Sequence, residues 1–255
     1  MRFYLDSAQP EEIRSVADAL FVAGVTTNPS LIQRAGTSRI GELLDAVVAT
    51  RRRDWKLWFQ LRRGTTAEIL GEAQALSDAL IERTGGLHAG PTLVFKLLPD
   101  WKGLIAASTL IRQGAEVCLT GIADPAQALA LSVLPEISTD EGGALVTEGP
   151  PSSRNPHMPA ALACYIGRND DAGRDGTKVV LRINDLLVAN NRRTRVLAAS
   201  IRTPDKLNAL VRRLSRRKVN VVDVTLSFEM LRDVVLDKVT HAAIGEFDAL
   251  EEVPL

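Results

Sequence analysis

The chain has 255 residues, 45% of them hydrophobic, and its 31 lysines and arginines balance 31 aspartates and glutamates. That length and apolar content predict one well-buried core and argue against extensive disorder. A net charge of zero argues against a nucleic-acid or membrane-surface role driven by charge, and no run of eighteen apolar residues is present to span a bilayer.

The first predicted strand, near 3–6, is Phe3-Tyr4-Leu5-Asp6. It begins almost at Met1, which predicts no signal peptide. An amphipathic stretch over 10–21 leads to a second strand near 22–26. There Gly24-Val25-Thr26-Thr27-Asn28-Pro29-Ser30-Leu31 carries the densest information in the chain. A β-branched run stops at a polar triplet, Pro29 lacks the N–H to continue a strand, and Ser30 can open a helix. An amide and two hydroxyls are thereby set at the C-terminal tip of a strand, where α/β enzymes build their sites. An ordinary strand–turn–helix junction would use the same residue types.

A helical pattern over 40–50, a strand near 56–61 and a helix over 65–83 follow. The fourth strand, near 92–97, contains Lys96 within Thr92-Leu93-Val94-Phe95-Lys96-Leu97-Leu98. The chain has seven lysines against 24 arginines, and Lys96 lies inside an apolar run whereas the other six sit in polar company or near predicted element ends. Burying an ammonium is costly, and a lowered pKa that leaves a neutral amine relieves that cost. A neutral amine suits Schiff-base formation with a carbonyl. Snorkelling to solvent is the alternative reading.

A helix over 101–113 and a strand near 116–121 come next. The segment 136–159 then breaks the rhythm, being polar and rich in Pro and Gly. Its position before strand six puts it on the N-terminal, non-chemical face of a barrel, so a mobile or oligomer-contacting loop is expected. Val146 and its neighbours could add a short hairpin. Strands near 161–166, 195–200 and 219–225 complete the series, and 228–250 reads as one or two closing helices. Eight βα units of about thirty residues each are what a closed parallel barrel requires. The expected fold is therefore α/β: a single (β/α)8 TIM barrel over 1–255, with closing C-terminal helices and the 136–159 insertion. An open doubly wound sheet is the rival, but no G-x-G-x-x-G or P-loop run supports it.

Cys118 and Cys164 each lie in an apolar strand and show no metal spacing, which predicts a reduced, cytoplasmic setting with no metal and no disulfide framework. Arg51-Arg52-Arg53, Arg192-Arg193, Arg212-Arg213 and Arg216-Arg217 read as solvated helix ends.

Taken in order, the strand tips bring one polar set to one mouth. It consists of Asp6, then Thr26, Thr27 and Asn28, then Gln60, Lys96, Thr120, Tyr165 with Arg168, and Ser200 with Arg202. Each has a dull explanation alone. An acid, an amide, an amine, a phenol and two arginines converging is less ordinary.

These residues resemble the transaldolase and fructose-6-phosphate aldolase family. The resemblance is carried by Leu5-Asp6, Gly24 to Ser30, Lys96, Tyr165-Ile166-Gly167-Arg168 and Ala198-Ala199-Ser200-Ile201-Arg202, in order and at matching spacing over nearly the whole chain. It implies a class I, Schiff-base-forming (β/α)8 enzyme with no cofactor, acting on sugar phosphates such as fructose 6-phosphate or sedoheptulose 7-phosphate, and assembling as a homo-oligomer. By resemblance, Lys96 is the Schiff-base lysine and Asp6 takes the C4 hydroxyl proton. Thr26, Thr27 and Asn28 belong to the substrate-binding tip, with Thr27 and Asn28 holding the three-carbon unit. Gln60, Thr120 and Tyr165 manage water and protons, while Arg168, Ser200 and Arg202 bind phosphate.

Three positions favour the aldolase branch: Gln60, Tyr165 and Ala163 stand where transaldolases carry Glu, Phe and Ser. Asp100 replaces a usual Thr, Cys164 replaces a common Pro, and the 136–159 insertion is foreign to most members. The alternatives are a classical transaldolase with an obligatory aldehyde-phosphate acceptor, a Schiff-base aldolase of deoxyribose-phosphate type, and a barrel that kept the fold without catalysis.

Overall fold

A computed structural model describes residues 1–36, 40–86, 89–133, 136–139, 145–148, 159–236 and 238–248. The elements begin β1 (Phe3–Asp6), α1 (Pro10–Ser15), β2 (Val22–Thr26), α2 (Pro29–Arg34), α3 (Ile40–Ala49), β3 (Lys56–Gln60) and α4 (Thr66–Thr84). They continue with β4 (Thr92–Leu97), α5 (Trp101–Arg112), β5 (Glu116–Ile122), α6 (Pro125–Leu131), β6 (Glu136–Thr139) and β7 (Leu145–Glu148). The last are β8 (Ala161–Tyr165), α7 (Ile166–Asp171), α8 (Gly176–Ala189), β9 (Arg195–Ala199), α9 (Pro204–Leu214), β10 (Val222–Leu226), α10 (Phe228–Val235) and α11 (Lys238–Asp248).

Eight parallel strands close in the order β1-β10-β9-β8-β5-β4-β3-β2, so the fold is a (β/α)8 barrel with two helices after the last strand. Every barrel strand lies within a few residues of its predicted place. Strand eight begins later than its apolar run suggests, at Val222, because Val219 is exposed. Helix α1 ends at Ser15 rather than continuing to 21. The chain there changes to tight turns, with Ala17 N–H donating to Arg14 and Ala19 N–H to Val16, to bring it back to β2. Within the 136–159 segment β6 and β7 pair as an antiparallel hairpin, Glu136 opposite Glu148. Residues 140–144 and 149–158 of that segment, like Leu250, lie outside the described residues.

Side-chain alternation explains where the core and the site sit. In each strand one set of side chains points out to the helices and the other into the barrel. The outward set, including Leu5, Val25, Leu57, Phe59, Phe95, Leu97, Val117, Leu119, Leu162, Val196 and Val224, packs with the helices as the main core. The inward set forms a smaller cluster of Tyr4, Trp58, Val94, Cys118, Ala161, Ala163 and Leu197. Two residues further along β1, β3, β4, β5 and β8 come Asp6, Gln60, Lys96, Thr120 and Tyr165, while β9 brings the small Ala199. The period of two puts a polar layer directly above an apolar plug.

Below the plug, buried Asp223 accepts from Arg2 at 2.9–3.1 Å and from Arg195 at 2.6 and 2.7 Å. This ties β10 to both of its neighbours at the closure of the barrel. At Gly24, with φ +142°, a Cβ would lie 2.0 Å from the Lys56 carbonyl oxygen, so only glycine lets β2 pack on β3 there. Gly167 serves the site in the same way. Among the described residues no helix is long and apolar enough to cross a membrane.

Candidate active site

At the C-terminal ends of the strands the polar layer opens into a cavity of about 470 Å³. Of the residues predicted from sequence, Asp6, Asn28, Gln60, Lys96, Tyr165, Arg168 and Ser200 line it. Thr26, Thr27, Thr120 and Arg202 do not, although the first three touch residues that do.

Lys96 is 5% exposed and forms the floor. Its Nζ donates to the backbone carbonyl of Thr27 at 2.9 Å. Burial pushes its pKa below the ordinary lysine value, and the nearby Asp6 carboxylate acts in the opposite sense. The register sets the neighbours: Gln60 is paired with Lys96 across β3 and β4, and Lys96 with Cys118 across β4 and β5. Burial raises the Cys118 thiol to about 12, so beside the amine it stays a neutral packing group.

Asp6 is held from behind. The Thr26 hydroxyl donates to its Oδ1 at 2.7 Å and lies 2.6 Å from the Thr225 hydroxyl. Thr26 therefore orients the acid and does not face the cavity. Thr225 lines the cavity from β10 and is absent from the sequence-derived set. Its signal was a hydroxyl near the tip of the eighth strand.

Asn28, rather than Ser30, opens α2. Its Oδ1 accepts from the N–H groups of Ser30 and Leu31 at 3.1 Å each, with Pro29 as the first helical residue. The cap fixes the amide so that its Nδ2 has no partner among the described residues. Ser30, and Arg34 one turn later, also line the cavity. Arg34 stands at i+4 from Ser30 and so shares its face of α2. The Thr27 Oγ1 is buried without a hydrogen-bond partner among the described residues.

On the opposite wall the Tyr165 hydroxyl lies 2.8 Å from that of Thr120. Burial raises the Tyr165 pKa, while the Thr120 hydrogen bond and Arg168 work against the rise. The Arg168 guanidinium stacks over the Tyr165 ring, 4.6 Å from its centroid. Gly167 N–H donates to the Ser200 carbonyl at 3.0 Å, and a Cβ at Gly167 would sit 2.7 Å from the Ser200 Oγ and 2.6 Å from its carbonyl oxygen. The missing side chain is what lets β8 and β9 present Arg168 and Ser200 together. Ser200 itself adopts φ +60°, the left-handed region, at the cavity edge. Arg202 is held by Asp171 through two hydrogen bonds of 2.6 and 2.7 Å, both groups being half-exposed.

The arrangement offers a desolvated amine, an oriented carboxylate, a phenol–hydroxyl pair and cationic groups at the rim. Asp100 caps α5, its Oδ1 accepting from Gly103 N–H at 2.8 Å, so this departure from the family pattern preserves the helix start. Among the described residues no group of three His, Cys, Asp or Glu side chains could hold a metal ion.

Solved structures resemble the fold at low identity. A malate synthase from Haloferax volcanii matches with a TM-score of 0.55 and 11% identity, over 100% of this chain and 80% of that one. A dihydrodipicolinate synthase family protein from Coccidioides immitis matches with a TM-score of 0.53 and 8% identity, over 96% and 74%. The sequence relatives cover both chains almost completely. A "Probable transaldolase" of Desulforudis audaxviator is 28% identical over 97% of this chain and 95% of its own. Another, of Geotalea uraniireducens, is 26% identical over 100% of both. The family model for transaldolase/fructose-6-phosphate aldolase matches residues 3–252, and the chain therefore belongs to the transaldolase/fructose-6-phosphate aldolase family.

Proposed function

We propose that the protein is a class I aldolase or transaldolase that handles the dihydroxyacetone unit of a ketose phosphate through a Schiff base on Lys96. The observation that carries this reading is the burial of the Lys96 amine at the floor of the cavity, with a carbonyl and no carboxylate as its hydrogen-bond partner. Burial favours the neutral, nucleophilic amine.

In the proposed cycle the Nζ attacks the C2 ketone, and loss of water gives the iminium. Asp6, aimed by Thr26, takes the C4 hydroxyl proton. The C3–C4 bond breaks, its electron pair moves into the iminium, and an aldehyde phosphate leaves. An enamine of dihydroxyacetone stays on Lys96. The free Nδ2 of Asn28 donates to a hydroxyl of that unit, and the unpartnered Thr27 hydroxyl is a second group on the same tip. Arg168 and Ser200 take the phosphate, with Arg202 joining when phosphate displaces Asp171.

Gln60, Thr120 and Tyr165 order the water that forms and hydrolyses the imine. Their neutral inventory favours protonation of the enamine and release of free dihydroxyacetone, because Tyr165 brings a hydroxyl where phenylalanine would bring none. The second reading is obligatory transfer to an aldehyde acceptor, favoured by the names of the sequence relatives. Fructose 6-phosphate supplied alone separates them. Sustained release of dihydroxyacetone and glyceraldehyde 3-phosphate supports the aldolase; turnover only with added erythrose 4-phosphate supports the transaldolase. We further propose that the protein assembles as a homo-oligomer and works in the reducing cytoplasm, the latter consistent with its two free, buried cysteines.

A further inference from the structure

At the opposite end of the barrel, after α3 and before β4, lies a second concavity of about 300 Å³. Arg51, Arg52, Arg53, Arg83, Thr84 and Gly90 contribute to its lining, and no carboxylate does so among the described residues. The chain as a whole is neutral, so four guanidiniums around one hollow are a local arrangement.

Two of the four are already engaged. Arg52 forks onto Asp54 at 2.7 and 2.8 Å, donates to the carbonyls of Ala17 and Val22, and lies over Trp55. Arg83 donates to Asp45 at 2.7 Å and to the Ala79 carbonyl at 2.9 Å. These contacts pin the walls and neutralise two charges. The exposed Arg51 and Arg53 side chains have no hydrogen bond or ion pair with any described residue, which leaves two positive charges at the rim. Arg51 also holds φ +56°, a left-handed conformation that glycine adopts freely and a side chain adopts at a cost. The fold alone would favour glycine or asparagine there.

We propose that this concavity is a second anion site, which takes a phosphate group as inorganic phosphate or as part of a small phosphorylated metabolite. Two free guanidinium forks match a doubly charged tetrahedral oxyanion. The hollow is separate from the barrel mouth. Pro91 lines it, and Lys96 stands five residues along β4, about 16 Å away at ~3.3 Å per residue.

Calorimetric titration at fixed ionic strength tests the site, with inorganic phosphate, pyrophosphate and glycerol 3-phosphate as probes. The proteins are wild type, the double variant Arg51→Gly/Arg53→Ala, Arg168→Ala at the mouth, and Arg216→Ala on an unrelated surface. Glycine suits the backbone at position 51, so the double variant retains its fold. The expected result is saturable binding that survives Arg168→Ala and Arg216→Ala but weakens at least tenfold in the double variant. Equal affinity for phosphate and glycerol 3-phosphate assigns the site to the bare anion; tighter glycerol 3-phosphate assigns it to a phosphorylated metabolite. The proposal is overturned if no probe saturates the wild type, if the double variant binds like wild type, or if Arg168→Ala removes all binding.

Discussion

The Lys96 Nζ donates to the Thr27 carbonyl at 2.9 Å, across the junction of β4 with the turn after β2. The contact joins the two most informative segments of the sequence and gives a buried amine a neutral acceptor. Protonation of that amine is disfavoured by burial, which has a consequence for stability. The unfolded chain binds the proton up to the ordinary lysine range, whereas the folded chain gives it up at lower pH. The wild type is therefore penalised at neutral pH and recovers as pH rises through about 10.4, above which both states are neutral. Lys96→Met should raise Tm at pH 7, at about 2–4 °C for each ~1 kcal/mol relieved. The difference from wild type should shrink towards alkaline pH in melts followed by circular dichroism.

On the proposed reading, Thr26 acts through Asp6, to which it is hydrogen-bonded. Asp6→Asn should lower kcat by about 10²–10⁴-fold, as for loss of a general base. Thr26→Val keeps the β-branched shape but drops the hydroxyl between Asp6 and Thr225. It should lower kcat by roughly 10–100-fold through misorientation of the acid, with little change in KM. Steady-state kinetics on both variants check this, and a KM-dominated effect of Thr26→Val would instead make it a binding residue.

On the proposed reading, Asp171 competes with the substrate phosphate for Arg202. Asp171→Asn should lower KM for phosphorylated substrates by releasing the guanidinium, and Arg202→Ala should raise it by roughly 10–100-fold. Activity with unphosphorylated glyceraldehyde as acceptor should change much less in either variant. An equal loss for both acceptors would remove Arg202 from phosphate binding.

Tyr165→Phe should depress release of free dihydroxyacetone more than its transfer to an added aldehyde, because only release needs a proton donor and water at the enamine. Assays with and without erythrose 4-phosphate measure the two. Equal losses would leave Tyr165 without the proposed role.

The barrel was legible because buried parallel strands and amphipathic helices alternate, and both patterns are local. The strand-tip residues Asp6, Gln60, Lys96 and Tyr165 were legible because the period of two ties each to the inward face. Thr225 was legible in kind, as a strand-tip hydroxyl, but its link to Asp6 runs through Thr26, 199 positions away, and depends on barrel closure. Arg34 depended on which face of α2 turns inward, a matter of tertiary packing. The Arg202–Asp171 pairing spans 31 residues between exposed side chains, and no local pattern marks it. The turn that shortens α1 reflects the need to re-enter the barrel at Val22, which overrides the helical periodicity of 16–21.

Borohydride reduction during incubation with fructose 6-phosphate tests the central claim most directly, because it captures the imine on the residue that formed it. Peptide mass spectrometry should find one three-carbon adduct, on Lys96, and Lys96→Arg should abolish it together with at least ~10³-fold of the rate, since a guanidinium stays charged and cannot be the nucleophile. An adduct on Lys102 or another lysine, or no adduct from an enzyme that is turning over, would contradict it.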